Sequence, residues 1–230
     1  MDKIHKHQKE ILMQLLFHPH ISFTEMNIEG LTSDHFTYHI RSLIKVGYVE
    51  KDKKGKYVLT IKGKEYANTY DTDNKVIDKQ PKYAVFLVAK KFEKGKEFLL
   101  IQRRLKEPYY GYQGFITGKV KFGELLEEAA RRELLEETGY IGDFTLKGSH
   151  RDIVYTKDGN LLEDKVFHIF EITNCEGELT EKVEGGENYW LPEKDFEKLD
   201  KKYYNEDDLY EFSKRKGKFI EEEKYYVDVF

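Results

Sequence analysis

Glu133, Glu136 and Glu137 stand at positions i, i+3 and i+4, a spacing that the helical repeat turns into carboxylates on one face. Like charges so placed repel by roughly 0.2–0.5 kcal/mol per pair even in water, so the trio is mildly self-destabilising until a cation is shared. A hard divalent ion removes the conflict: Mg²⁺ and Mn²⁺ accept carboxylate oxygens and commonly bridge protein acids to phosphate oxygens of a substrate. Arg132, four residues before Glu136, is spaced to brace one acid from the side. An acidic, Arg-containing helix is more often only a solvated face, so spacing alone leaves both readings open.

The element that must carry these acids lies within Gly118 to Tyr140. Glu127 and Glu128 suit the positive end of a helix, Ala129, Ala130 and Leu134 form its apolar stripe, and Gly139 after Thr138 is a stop signal. Gly123 marks the loop before it. The segment resembles the Nudix box: Gly, five residues, Glu, seven residues, Arg-Glu, an aliphatic, any residue, Glu-Glu, any residue, Gly. Gly118, Glu124, Arg132, Glu133, Leu134, Glu136, Glu137 and Gly139 fall in that register, and Tyr140 departs from the usual aliphatic at a packing position.

The resemblance implies a Nudix α/β/α sandwich with a mixed sheet over residues 81 to 230. It implies hydrolysis of the diphosphate linkage of a nucleoside diphosphate derivative. Mg²⁺ or Mn²⁺ would be held by Glu133, Glu136 and Glu137, while Gly118, Glu124, Arg132 and Gly139 frame the motif. It also nominates a catalytic glutamate in the loop ahead of Trp190, Glu184 in preference to Glu187, because two glycines beside Glu184 let the loop approach a ligand. Arg103 or Arg104, after the apolar run 98–101, is expected either to contact substrate phosphate or to form a surface ion pair. Ile116-Thr117 stands where many relatives have Pro-Gly, which leaves the substrate subclass open.

At 230 residues the chain can bury two modest cores. Charged residues make up 36% and Pro only 4 positions, which argues against disordered and fibrous classes. A single cysteine, Cys175, excludes an internal disulfide or a Cys-cluster zinc site and fits a reducing cytosol. The opening MDKIHKHQKE has no apolar signal region, and no run approaches the length of a membrane span. Residues 1–70 hold ten Lys, one Arg and eight acids, so 11 − 8 = +3, which leaves −4 − 3 = −7 for the remainder. A basic head on an acidic body points to a polyanionic partner for the head.

Within that head, Ile4, Ile11, Leu12, Leu15 and Leu16 predict a first helix that stops at His18-Pro19. A short second helix is expected over 22–28, ended by Gly30. A third is capped by Thr32 or Ser33, with Phe36, Ile40, Leu43 and Ile44 inward, and closed by Gly47. Strand-like runs at 48–50 and 57–61 flank a lysine-rich turn, and a further helical stretch follows Thr60 and Gly63. The order resembles a winged helix-turn-helix domain over residues 1–70. That resemblance implies double-stranded DNA as a partner, with Thr37, Tyr38, Arg41 and Lys45 entering the groove and Lys53, Lys54 and Lys56 meeting phosphate, and it implies a homodimer. Winged helices also serve as dimerisation or docking modules. The histidines lack metal spacing and read as solvated or packed.

Residues 71–80 are polar and end at Pro81, a linker pattern. Apolar runs at 83–89 and 98–101, and 153–155 and 166–170 about Asp158-Gly159, predict strands, with His168 in the core; residues 193–230 read as terminal helices. Two functions from different classes result: a metal-dependent hydrolase with a DNA-binding arm, or a transcription regulator whose second domain senses a nucleotide sugar or an ADP-ribose-like ligand.

Overall fold

The computed structural model describes residues 4–26, 32–71, 76–77 and 79–228. The chain divides into two compact units, Met1–Lys79 and Gln80–Phe230.

The first unit packs helices α1 (Lys6–Phe17), α2 (Ser33–Lys45) and α3 (Ile61–Asn68) with an antiparallel hairpin of β1 (Val49–Lys51) and β2 (Tyr57–Leu59). α2 begins where Thr32 accepts the His35 backbone N–H, and α3 begins after Thr60, whose hydroxyl accepts from Gly63. Ile11, Leu12, Leu15, Phe36, Ile40, Leu43, Val49 and Leu59 join one core. Gly63 lies inside α3 rather than ahead of it, and glycine is required there because a Cβ would come within 2.0 Å of the Tyr48 carbonyl oxygen. The hairpin turn is tied by Asp52, which accepts from the backbone N–H groups of Lys54 and Lys56.

Two expectations for this unit fail. Ile44 is 39% exposed, because the helical drift carries it past the edge of a stripe already filled by Ile40 and Leu43. The helix expected over 22–28 is a single turn at 23–25, closed by Met26 N–H to Ser22 O at 3.1 Å, where the Ser22 side chain prefers Glu25; its later residues lie outside those described. Short strands β3 (Tyr70–Asp71) and β4 (Val76–Ile77) then pair antiparallel, β3 at the start of the stretch 71–80 and β4 inside it.

The second unit is built on β5 (Lys82–Glu93), β6 (Lys96–Arg104), β7 (Gln113–Gly114), β8 (Ile116–Lys119), β9 (Tyr140–Thr156), β10 (Leu161–Gly177), β11 (Lys182–Val183), β12 (Gly186–Pro192) and β13 (Phe219–Val227). Among the described residues these form one mixed sheet in the order β11-β12-β6-β5-β10-β9-β13, with β7 on β6 and β8 on β5. The first half of β5 pairs parallel with β10 and antiparallel with β8, and its second half pairs antiparallel with β6. Strand alternation sends Val85, Leu87 and Ala89 to one face against helix α4 (Leu126–Thr138), and Ala84, Phe86 and Val88 to the other against helix α5 (Glu206–Lys214). The sheet is thus sandwiched between helices, and its central strands read as continuous apolar runs because both faces are covered.

The tail corrects the expectation of terminal helices. A 3₁₀ helix (Glu193–Lys198) and α5 are present, but 219–227 forms β13, parallel to β9. Its run Phe-Ile-Glu-Glu-Glu-Lys-Tyr-Tyr-Val is charged because it is an edge strand, where exposed charge blocks further pairing. No helix among the described residues is long and apolar enough to cross a membrane.

Candidate active site on helix α4

α4 is capped by Leu125, whose backbone N–H donates to Glu128 at 3.0 Å, and by Gly139, which takes φ +76° and returns its N–H to Leu135 O at 2.9 Å. Ala129, Ala130 and Leu134 are fully buried against the sheet, each such leucine contributing roughly 1.5–3 kcal/mol. Their burial fixes the helix rotation and so aims the acids.

Arg132 is the hub. Its Nε and Nη2 grip both oxygens of Glu124 at 2.6 and 2.9 Å, its Nη1 reaches Glu133 at 2.6 Å and Glu136 at 3.1 Å, and Nη2 also donates to Lys119 O at 3.0 Å. The forked contact with Arg132 holds the Glu124 carboxyl down at about 2. The guanidinium in turn is held protonated above its ordinary range, the Glu124 contact being the largest cause.

Glu133 lies flat on β8: a Cβ at Gly118 would stand 1.9 Å from Glu133 Cδ and 2.1 Å from Cγ, so only a glycine admits the side chain. Burial there raises the carboxyl above its usual range, Arg132 opposes the shift, and the charges of Glu136 and Glu137 reinforce it. Glu136 is 56% exposed. Glu137 accepts from Gln102 Nε2 at 2.9 Å, and that amide also meets Asn188 Oδ1 at 3.1 Å.

By donor chemistry this set suits a hard divalent cation: three carboxylates, no soft ligand, and one acid whose ionisation burial opposes. The carboxylates are turned toward Arg132 and Gln102. Among the described residues no group of three or more His, Cys, Asp or Glu side chains is arranged to hold a metal ion.

The other nominated residues are scattered. Arg104 is absorbed by its own loop, donating to the carbonyls of Lys106, Glu107 and Pro108. Arg103 shares the α5 face of β6 with Leu99 and Ile101, away from α4, and reaches Gln113 at 3.5 Å and Glu187 at 3.8 Å. Glu184 sits exposed in the two-residue turn between β11 and β12, and Glu187 pairs loosely with Arg103 and Lys182. In the first unit, Tyr38 is 69% exposed, Arg41, Lys45, Lys53 and Lys54 are exposed, and Lys56 lies 3.7 Å from Glu25. Thr37 spends its hydroxyl on Ser33 O at 2.7 Å.

Three polar residues escaped the sequence reading. Gln102 and Asn188 have no motif, although alternation along β6 puts Gln102 on the face of Leu100 and α4. Glu206, 2% exposed at the start of α5, accepts the Phe115 N–H at 3.0 Å, and burial pushes its carboxyl up to about 8. His39 lies 4.8 Å from the His5 ring and 5.6 Å from that of His7, centroid to centroid.

A family model described as NUDIX domain matches residues 80–213. A stretch of 73 residues is 41% identical to a Danio rerio protein named oxidized purine nucleoside triphosphate hydrolase, covering 32% of this chain and 44% of that protein, so less than half of the relative is spanned. Among solved structures, the MutT protein of Bacillus halodurans superposes with a TM-score of 0.52 at 20% identity, over 65% of this chain and 93% of that one. The NUDIX domain of Shewanella oneidensis NrtR, solved with ADP ribose, does so with 0.50 at 18% identity, over 65% and 94%. At such identities the likeness is one of fold.

Proposed function

The chain belongs to the NUDIX hydrolase family, and from that premise we propose that its second unit hydrolyses the diphosphate linkage of a nucleoside diphosphate derivative at the acidic face of α4. One observation carries the reading: Arg132 gathers Glu124, Glu133 and Glu136 while Gly118 clears the ground under Glu133. A solvated helix face has no need of a glycine in a neighbouring strand.

Glu133, Glu136 and Glu137 would hold Mg²⁺ or Mn²⁺, which supplies charge neutralisation at the phosphate oxygens and a lowered pKa for the attacking water. Glu124 and Arg132 keep the helix, the loop before it and the acids in register, and one of the acids takes the proton from water. For phosphate binding, strand alternation puts Arg104 on the α4 face of β6 with Leu100 and Gln102, with its Nε and Nη2 turned to its own loop, whereas Arg103 lies on the opposite face. For the loop glutamate, Glu184 keeps its free carboxylate at a hairpin tip, whereas Glu187 is loosely paired.

For the first unit we propose a winged helix-turn-helix arm that contacts double-stranded DNA through Tyr38, Arg41 and Lys45 of α2 and through Lys53, Lys54 and Lys56 of the hairpin, in a homodimer. The exposure of the α2 cations and of Lys53 and Lys54 supports this. Salt-dependent binding to duplex DNA, reduced in Arg41→Ala, is the expected result.

The test of the hydrolase is Mg²⁺-dependent phosphate release across a panel that includes purine nucleoside triphosphates, their oxidised forms and ADP-ribose, with wild type and Glu137→Gln side by side. Turnover lost in the variant supports the enzyme. No turnover on any member, with ligand-dependent DNA binding, would instead make the protein a nucleotide-sensing regulator.

A further inference from the structure

Glu137 is gripped at both ends by residues outside its own helix. At the carboxylate, Gln102 Nε2 donates to Oε2 at 2.9 Å. At the backbone, Asn188 Nδ2 donates to Glu137 O at 2.6 Å and to Thr180 O at 2.8 Å. The last carbonyls of a helix lack intrahelical partners, so Asn188 satisfies one of them and fastens the end of α4 to β12. Asn188 is 2% exposed.

The amide orientations are dictated by partners. Asn188 Nδ2 faces two carbonyl oxygens, so Oδ1 must be the atom presented to Gln102, and it accepts from Gln102 Nε2 at 3.1 Å. Both protons of the Gln102 amide are therefore committed, one to the anchor and one to Glu137. A third residue completes the arrangement: a Cβ at Gly186 would lie 2.5 Å from Gln102 Cδ and 2.7 Å from Cγ, so β12 is bare where Gln102 crosses it.

We propose that Gln102 is a positioning residue for Glu137, held by Asn188 and Gly186, and that this clamp sets the direction of the Glu137 carboxylate toward a divalent ion. The inference rests on the hydrolase reading of α4. A single N–H occupies one lone pair of Oε2 and leaves Oε1 free, so the clamp restricts rotation without using up the acid. Partners one step removed from a metal ligand affect affinity or activity by about 10–100-fold when removed.

The test measures Mn²⁺ affinity by electron paramagnetic resonance without substrate, kcat and KM separately, and the unfolding midpoint. Gln102→Met should weaken Mn²⁺ binding and lower kcat by about 10–100-fold while leaving KM near wild type, with an earlier unfolding midpoint because the buried Asn188 Oδ1 loses its donor. Gln102→Glu, isosteric but bearing a like charge, should lose more. Gly186→Ala keeps the amide but displaces it, and should move Mn²⁺ affinity and kcat in the same direction. In a wild type that binds Mn²⁺, unchanged Mn²⁺ affinity in Gln102→Met and Gly186→Ala overturns the clamp alone, even if both unfold earlier. Absence of Mn²⁺ binding by the wild type has a different signature and removes the hydrolase reading together with the clamp.

Discussion

Helices α2 and α4 are matched in length at 13 residues, bury an apolar stripe and turn charge outward, yet their charged faces are built differently. Toward the acids of α4 the protein sends a glycine from β8, an amide from β6, an asparagine from β12 and an arginine from the helix itself. Toward Arg41 and Lys45 of α2, no ion pair forms among the described residues, and Tyr38 packs only against the neighbouring His39. The charged face of α4 is held and neutralised by other elements, and that of α2 is left to solvent among the described residues.

The largest contrast should come from charge removal. Glu137→Gln is expected to lower phosphate release by at least about 100-fold, while the double variant Arg41→Ala, Lys45→Ala leaves it at the wild-type rate. Equal losses in both would break the comparison. Next in size is Gly118→Ala, whose added methyl meets a side chain that can swing aside. Calorimetry should show a cost of about 1–3 kcal/mol, with a proportionally larger loss of turnover, because what swings aside is Glu133.

Arg132→Ala sharpens the comparison through acid stability. The depressed pKa of Glu124 contributes stability that is present above the ordinary carboxylate value of 4.5 and is lost as pH falls toward about 2. Wild-type melts should show that loss in this window, and the variant should show less of it. The smallest effect distinguishes the two units between pH 8 and 4.5. His39, whose pKa is lowered first by burial and then by neighbouring histidines, favours the neutral form, so α2 loses stability as pH falls below 6.5. Glu206, pushed up to about 8, favours the protonated form, so its unit gains stability as pH falls from 8 to 4.5, although burial of His168 pulls the other way below 6.5. Hydrogen exchange resolved by unit should show the first loosening relative to the second, and Glu206→Gln should remove the gain.

What could be read in advance followed local rules. α4 was legible because its caps, stripe and acids all lie within one short stretch, and the central strands because burial on both faces leaves unbroken apolar runs. β13 was not, since an edge strand owes its charge to pairing with β9, which lies about seventy residues earlier in sequence. Gln102 and Asn188 were equally silent: each is an ordinary amide until the sheet brings β6 beside β12 and both beneath the end of α4. The surroundings of Arg104 were also silent: a basic residue ahead of a loop invites a phosphate reading, and only the folded loop shows three carbonyls turned toward its Nε and Nη2.

The most direct measurement is anomalous diffraction from a crystal of the whole chain soaked in Mn²⁺. The account predicts a peak bounded by the carboxylates of Glu133, Glu136 and Glu137, with Gln102 still on Glu137. Ordered density for those three side chains with no manganese among them, at a concentration that supports turnover, would contradict it.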